Sequence, residues 1–405
     1  MPSSPRNTSK YQKNMKTRIL YLLLMLAPLS VVAQQVNVNV GVTEPSEGLF
    51  SKVNAVAKEK SGLLRPIYWV KTLIDSSAVA TVDRSYIEQP EQEWAVEART
   101  TLNQSTLKME TQWDENADNM TLWTKSKNGL STSVGLWLGY RGYGFGYSKE
   151  IGSTNGSTFS FGAMGGSFGI NLRIGSYKSD MPDLYVDGIK LSYYDTDDDR
   201  LEDPIKVRSL FLDGYYMLNG KHFSYAAAYD QSLIQRRSAG SIVVGGMYYH
   251  SKADYSSDSN WLLAALMQGV GKVKYTQGSL GVGYAYNWVP ARGWLVSAMA
   301  MPMLSLYNRT TMYTYDFDVY NPNPYLTGEA LLYDPYTTIR LTDEKEEKTD
   351  NKINWNYDMR LCVVYNWERW YLRVYGHYNH FRYGDDLVSG RFTDWTAYAS
   401  LGFRF

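Results

Sequence analysis

The sequence predicts an all-β fold: a closed antiparallel transmembrane β-barrel of about 12 strands, with about 14 as the alternative, preceded by a short, partly helical N-terminal periplasmic segment. Three observations carry that prediction. Apolar and polar residues alternate over many segments, the apolar faces run from aromatic ends to aliphatic middles, and the connections are short at one rim and long at the other.

Lys13, Lys16 and Arg18 precede the apolar run 19–26, and small residues follow at 31–33. That order is the pattern of a secretory signal peptide, so residues 1–33 are expected to be removed after Ala33, with Met15 as an alternative start. The run is too short to cross a bilayer as a helix, and Pro28 interrupts it. No later stretch of about 18 apolar residues occurs, so no membrane-spanning helix is expected. Cys362 is the single cysteine, which excludes an internal disulfide framework and a cysteine-based metal site.

Residues 34–92 form the expected N-terminal periplasmic segment. Leu49, Phe50, Val53 and Val56 recur at helical spacing, as do Ile67, Val70, Leu73 and Ile74 after Pro66. Two short amphipathic helices packed against the body of the protein follow from that spacing.

From Glu93 the period changes to two, and 93–405 reads as the barrel. Leu280, Val282, Tyr284, Tyr286 and Trp288 share one strand face, and Ser279, Gly281, Gly283, Ala285 and Asn287 share the other. Stretch 354–367 is clearer still. Trp355, Tyr357, Met359, Leu361, Val363, Tyr365 and Trp367 form a face with aromatic ends and an aliphatic middle. A soluble sandwich has no reason to grade a face this way, whereas a bilayer does: acyl chains meet its middle and headgroups its ends.

Turn residues at Arg141-Gly142, Gly165-Gly166, Asn219-Gly220-Lys221 and 366–369 predict tight hairpins. Polar stretches 114–128, 179–206, 251–272 and 312–352 predict long loops at the opposite rim. The alternation breaks near 231–272. Pro302 is expected at a bulge or a strand end, because it cannot donate to a ladder.

The last strand places Trp395, Ala397, Ala399, Leu401, Phe403 and Phe405 on one face, opposite Asp394, Thr396, Tyr398, Ser400, Gly402 and Arg404. With that strand the chain resembles bacterial outer-membrane β-barrels, in which a final aromatic strand ending in Phe is the signal read by the barrel-assembly machinery. The resemblance implies that Phe405 is such an assembly signal. It also implies residence in the bacterial outer membrane, with outer-membrane lipid and the assembly machinery as partners. Segments 83–87, 219–225 and 235–241 resemble an uncharacterised family of these barrels, which brings no activity with it.

The residues carry little sign of chemistry. Formal net charge is zero, which leaves no footprint for nucleic acid. His377 and His380 lie three apart in a strand, point to opposite faces and cannot share a metal ion. Ser238 and Ser241 lack a Gly-x-Ser-x-Gly elbow. Stretch 195–199 resembles the first half of a calcium loop, but Arg200 and Lys206 stand where Gly and the bidentate Glu are needed. No catalytic residue, cofactor site or metal site is therefore expected.

The lumen face is where polar residues converge: Asn171, Arg173, Asp213, Asp358, Arg360, Arg373, His377 and Asp394. Their mixed charges predict pairs that bridge and fill the interior. The expected function is a non-enzymatic integral outer-membrane barrel, structural or a narrow small-solute channel with long extracellular loops. The alternatives are a membrane enzyme acting on lipid or lipid-linked sugar, and a secreted soluble β-sandwich binding protein.

Overall fold

The first wall strand closes on the last, so every strand of the wall has two hydrogen-bonded neighbours. The computed structural model describes residues 82–405, apart from 116–117, 128–130, 153–155, 180–182, 187–188, 192–200, 202, 329, 331–333, 351–352 and 385–387. The expected signal peptide, 1–33, and the two amphipathic stretches expected at 49–56 and 67–74 lie outside the described residues.

Twelve strands make the wall: β2 (Trp94–Glu115), β4 (Ser131–Tyr140), β5 (Tyr143–Ile151), β6 (Ser157–Met164), β7 (Phe168–Ser179), β10 (Ile205–Met217), β12 (Ala239–Asp254), β13 (Val270–Trp288), β14 (Trp294–Tyr320), β16 (Trp355–Trp367), β17 (Trp370–Gly384) and β18 (Val388–Arg404). Each pairs antiparallel with the wall strands before and after it. β18 closes on β2, from Arg404 opposite Ala95 to Val388 opposite Thr111. Phe405 seals the seam, its N–H donating to the Trp94 carbonyl over 3.0 Å. Four of the remaining strands prolong the wall, β3 (Asp118–Lys127), β8 (Asp183–Val186), β9 (Ile189–Leu191) and β15 (Thr338–Asp350), and β1 (Ile87–Glu88) and β11 (Ile234–Gln235) form a separate two-stranded sheet.

One rim carries tight turns. Arg141 and Gly142 both hold positive φ, 47° and 88°, as the mirror-image hairpin turn requires. In an outer-membrane barrel the short turns are periplasmic and the long loops extracellular, which orients the cylinder. Exposed aromatics ring the short-turn rim: Trp94, Trp288, Trp294, Trp367 and Trp370. Trp94 packs on Tyr140, Trp294 on Tyr365 and Trp370 on Phe403, with ring centroids 4.6, 4.8 and 4.8 Å apart. Amphipathic rings at that height match a headgroup boundary.

The two faces of β16 are those read from the sequence. Trp355, Tyr357, Met359 and Leu361 are exposed outward, while Asn356, Asp358, Arg360 and Cys362 are buried inside. β13 repeats the arrangement with Leu280, Val282, Tyr284, Tyr286 and Trp288 outward. The outer face is therefore apolar where it meets acyl chains, and the inner face is polar.

Several connections differ from expectation. Asn219-Gly220-Lys221 is not a tight hairpin: the chain between β10 and β12 runs through 218–238 and includes a helix, α1 (Tyr225–Tyr229). Asn219 does turn the chain, its carbonyl accepting the His222 and Phe223 N–H groups at 3.1 and 2.9 Å, but it turns inward. Stretch 312–352 is largely a ladder, with β14 reaching Tyr320 and pairing β15. Its polarity is that of strands in water on both faces. Stretch 251–272 contains the end of β12 and a short helix, α2 (Trp261–Leu266). Pro302 sits inside β14 and pairs Tyr357 of β16. On its other side the ladder to β13 lapses between Gly281 and Tyr284, then resumes in the same register. The missing N–H is accommodated by that gap and not by a strand end.

The orientation of β16 yields a direct test. Leu361→Arg places a cation near the bilayer midplane and should cost about 2–4 kcal/mol, whereas Leu361→Val should be close to neutral. The folded fraction of each variant in lipid vesicles measures this, and equal folding would reverse the facing of β16.

Candidate functional site in the barrel lumen

Helix α1 is five residues long, all of them buried. A helix this short has no stability of its own, so the wall must supply it. Ser224 caps the first turn, its hydroxyl accepting the Ala227 N–H at 3.1 Å. Ala226, Ala227 and Ala228 keep the turn thin, and Phe223, Tyr225 and Tyr229 fill the space around it.

The carbonyls of α1 and its flanks would be orphaned inside the cylinder. Wall side chains donate to them. The Asn287 amide reaches the Ser224 carbonyl at 2.9 Å, and the Cys362 thiol reaches the Ala228 carbonyl at 3.1 Å. Arg373 donates to the Tyr229 carbonyl, and Arg404 to the Gln231 carbonyl at 3.2 Å. Two guanidinium groups at a helix C-terminus also oppose its negative end. The segment is thus a plug, fastened by its backbone.

Two ionic clusters surround it. In the first, Arg360 pairs with Asp358 and Asp213, at 3.2 Å each, and donates to the hydroxyls of Tyr215 and Tyr225. Asn171 donates to Asp213 at 2.7 Å. His377 Nε2 lies 3.0 Å from Asp358, and its Nδ1 lies 3.3 Å from Arg173 Nη2. Arginine can only donate, so Nδ1 accepts and Nε2 carries the proton. With both nitrogens engaged, His377 is in no position to take a proton from a serine.

The second cluster centres on Glu97, which is fully buried on β2. Arg373 reaches both of its oxygens at 2.6 Å, Arg99 reaches one at 2.6 Å, and the Tyr371 hydroxyl donates at 3.1 Å. Arg99 lies over the Trp137 ring at 4.3 Å and the Tyr398 ring at 5.2 Å. Trp137 lies flat because Gly144 leaves room beneath it; a Cβ there would stand 2.3 Å from the ring.

The structure brings Asn171, Arg173, Asp213, Asp358, Arg360 and His377 together. Arg373 belongs to the other cluster, and Asp394 sits apart, taking a 3.2 Å hydrogen bond from Asn103. Sequence reasoning missed Glu97, Arg99, Tyr215, the plug tyrosines and Arg404. Parity along β2 puts Glu97 and Arg99 inward, so that signal was available. The run Tyr225-Ala-Ala-Ala-Tyr229, apolar on every side, was the signal for a buried helix.

A strap fastens the plug connection at the periplasmic rim. β1 pairs with β11, Ile87 opposite Gln235 and Glu88 opposite Ile234. Asp83 donates its N–H to the Lys221 carbonyl at 2.9 Å, and Arg236 pairs with Glu88 at 2.7 Å. Toward the other rim the lumen opens into a cup of about 760 Å³ whose floor includes Tyr229, Arg360 and His377.

Fold and lumen define a bacterial outer-membrane β-barrel with an internal plug. The chain belongs to the family described as a domain of unknown function, DUF4421, which matches residues 81–405. No curated protein matches the chain. Among solved structures it is similar to the outer-membrane protease OmpT of Escherichia coli, at 10% identity and a TM-score of 0.34, covering 78% of this chain and 98% of that one. It is also similar to the translocator domain of autotransporter NalP from Neisseria meningitidis, at 11% identity and a TM-score of 0.28, covering 88% and 100%. The Pseudomonas putida toluene transporter TodX matches at 7% identity and a TM-score of 0.25, covering 82% and 94%. Likenesses this remote carry nothing about the chemistry of this chain.

Arg373→Met should destabilise the barrel by about 3–5 kcal/mol, because it strands a buried carboxylate. Adding Glu97→Gln removes the stranded charge and should restore part of the loss. Urea titration of gel-resolved folded and unfolded forms reads both variants. An unchanged midpoint for Arg373→Met would show that the pair does not hold the structure.

Proposed function

We propose that the protein is a non-enzymatic outer-membrane barrel, exported on residues 1–33 and kept shut from the periplasmic side by its own plug. The observation that carries this reading is the position of Tyr225–Tyr229, buried in the bore and fastened through its carbonyls. A solute entering from the extracellular side meets Tyr229 and Arg360 before it reaches the periplasm. The engagement of both His377 nitrogens favours a structural over a catalytic role for the Asp358–His377 pair.

Planar-bilayer recording tests the closed lumen. The unaltered protein should show no steady conductance, and replacing 223–234 with a Gly-Ser linker should open one. A large steady conductance in the unaltered protein rejects the reading.

Phe405 is, in this reading, an address for the assembly machinery as well as the seam partner of Trp94. Its deletion should leave the exported chain in the periplasm, open to degradation, while Phe403→Leu keeps apolar burial and should reach the membrane. Membrane fractionation of cells expressing each variant decides between them. Normal outer-membrane levels without Phe405 would remove the address.

A further inference from the structure

We infer that the cup above the plug binds a neutral oligosaccharide. One arc of the cup, on β2, β4, β5, β6 and β10, presents the hydroxyls of Thr101, Ser131, Ser133, Ser148, Thr158 and Ser209. None of these hydroxyls has a protein hydrogen-bond partner among the described residues. The other side is aromatic. Tyr249 of β12 stacks on Phe381 of β17 and on Phe392 of β18, with centroids 5.3 Å apart in both pairs. Tyr375 and Tyr398 continue that surface at 4.7 Å from each other. The Tyr249–Phe381 stack reaches across the bore, so it walls the cup off from the β13–β14 side.

Charge and polarity then select the ligand. Glu97 is taken by Arg99 and Arg373, Asp213 and Asp358 by Arg360, and Arg173 by His377. Asp394 is held by Asn103, and Glu150 accepts the Gly156 N–H at 2.9 Å. A ligand charged in either sense would meet opposing charges in the lining, where Arg173 and Lys178 stand with Glu150 and Asp394. An apolar ligand would bury six hydroxyls without partners, at a cost for each one. A sugar chain satisfies both sides, because its hydroxyls answer serine and threonine while its C–H faces lie on aromatic rings. The volume of about 760 Å³ falls within the range of small-molecule sites, roughly 300–1,000 Å³, and suits a short oligosaccharide.

The inference rests on the plugged lumen, since the plug floors the cup. The two fail separately, because binding is read on protein in detergent micelles and closure is read as conductance. The test applies the full chain to an array of neutral oligosaccharides, with uronic-acid oligosaccharides and the apolar dye N-phenylnaphthylamine as contrasting probes. Saturable binding of at least one neutral oligosaccharide is expected, with neither contrasting probe competing for it. Ser133→Ala and Ser148→Ala should each weaken that binding roughly tenfold, as loss of one hydrogen bond predicts. Tyr398→Ala should weaken it at least as much and Tyr398→Phe should retain it, with the heat-sensitive gel mobility of each variant certifying its fold. Absence of saturable binding across the neutral array overturns the proposal. So does preferential binding of an acidic or apolar probe, or indifference to both serine substitutions.

Discussion

A peptide carbonyl inside a membrane-spanning cylinder has no bulk water to turn to, and the carbonyl of Tyr229 meets that constraint through Arg373. The same guanidinium holds both oxygens of Glu97. One side chain therefore neutralises a buried acid and ends a helix. Neither partner would tolerate the site alone: Glu97 would be an isolated charge, and the plug would carry an orphaned acceptor. Asn287, Cys362 and Arg404 extend the principle along the plug, each a wall residue donating to a plug carbonyl. The fastening is to backbone more than to side chains, so it depends on the wall supplying donors at the right heights.

The wall can supply them because its inner and outer faces are chemically independent. Strand parity lets β16 show leucine and methionine to lipid while placing Asp358 and Arg360 in the lumen. Closure of β18 on β2 removes the free edge that an open sheet would expose. It also brings Glu97 of β2 beside Arg373 of β17, across the seam strand. The ion pair and the seam thus support each other, and the short-turn rim gathers the seam, the strap from β1 to β11 and the plug at one end. What lies above is a cup of about 760 Å³ bounded on one side by aromatic stacking, with hydroxyls on the opposite arc.

How much of this was readable beforehand follows from where polarity is informative. β16 was legible from Trp355 to Trp367 because two solvents act on its two faces, and the same parity put Asp358, Arg360 and Arg373 inward. β15 was not legible as a strand. Residues such as Lys345, Glu346 and Lys348 are polar in succession because both faces of that ladder meet water, and alternation is lost when both faces see one solvent. The plug was misread for a different reason. Asn219 and Gly220 suit a chain reversal equally well whether the chain re-enters the sheet or dives into the lumen, and turn chemistry carries no record of the destination. Glu97 and Arg99 were open to the same parity argument along β2, but their partner Arg373 lies 276 residues from Glu97 in sequence, so the cluster they form was not legible.

Amide hydrogen exchange across 225–231, on the full chain in lipid vesicles, tests the fastening most directly. If the wall clasps the plug as described, these amides exchange as slowly as those of the neighbouring wall strands β16 and β17, since opening them requires breaking the barrel's interior contacts. If they exchange as fast as the exposed connection at 321–328, the segment leaves the lumen freely and the central claim is contradicted.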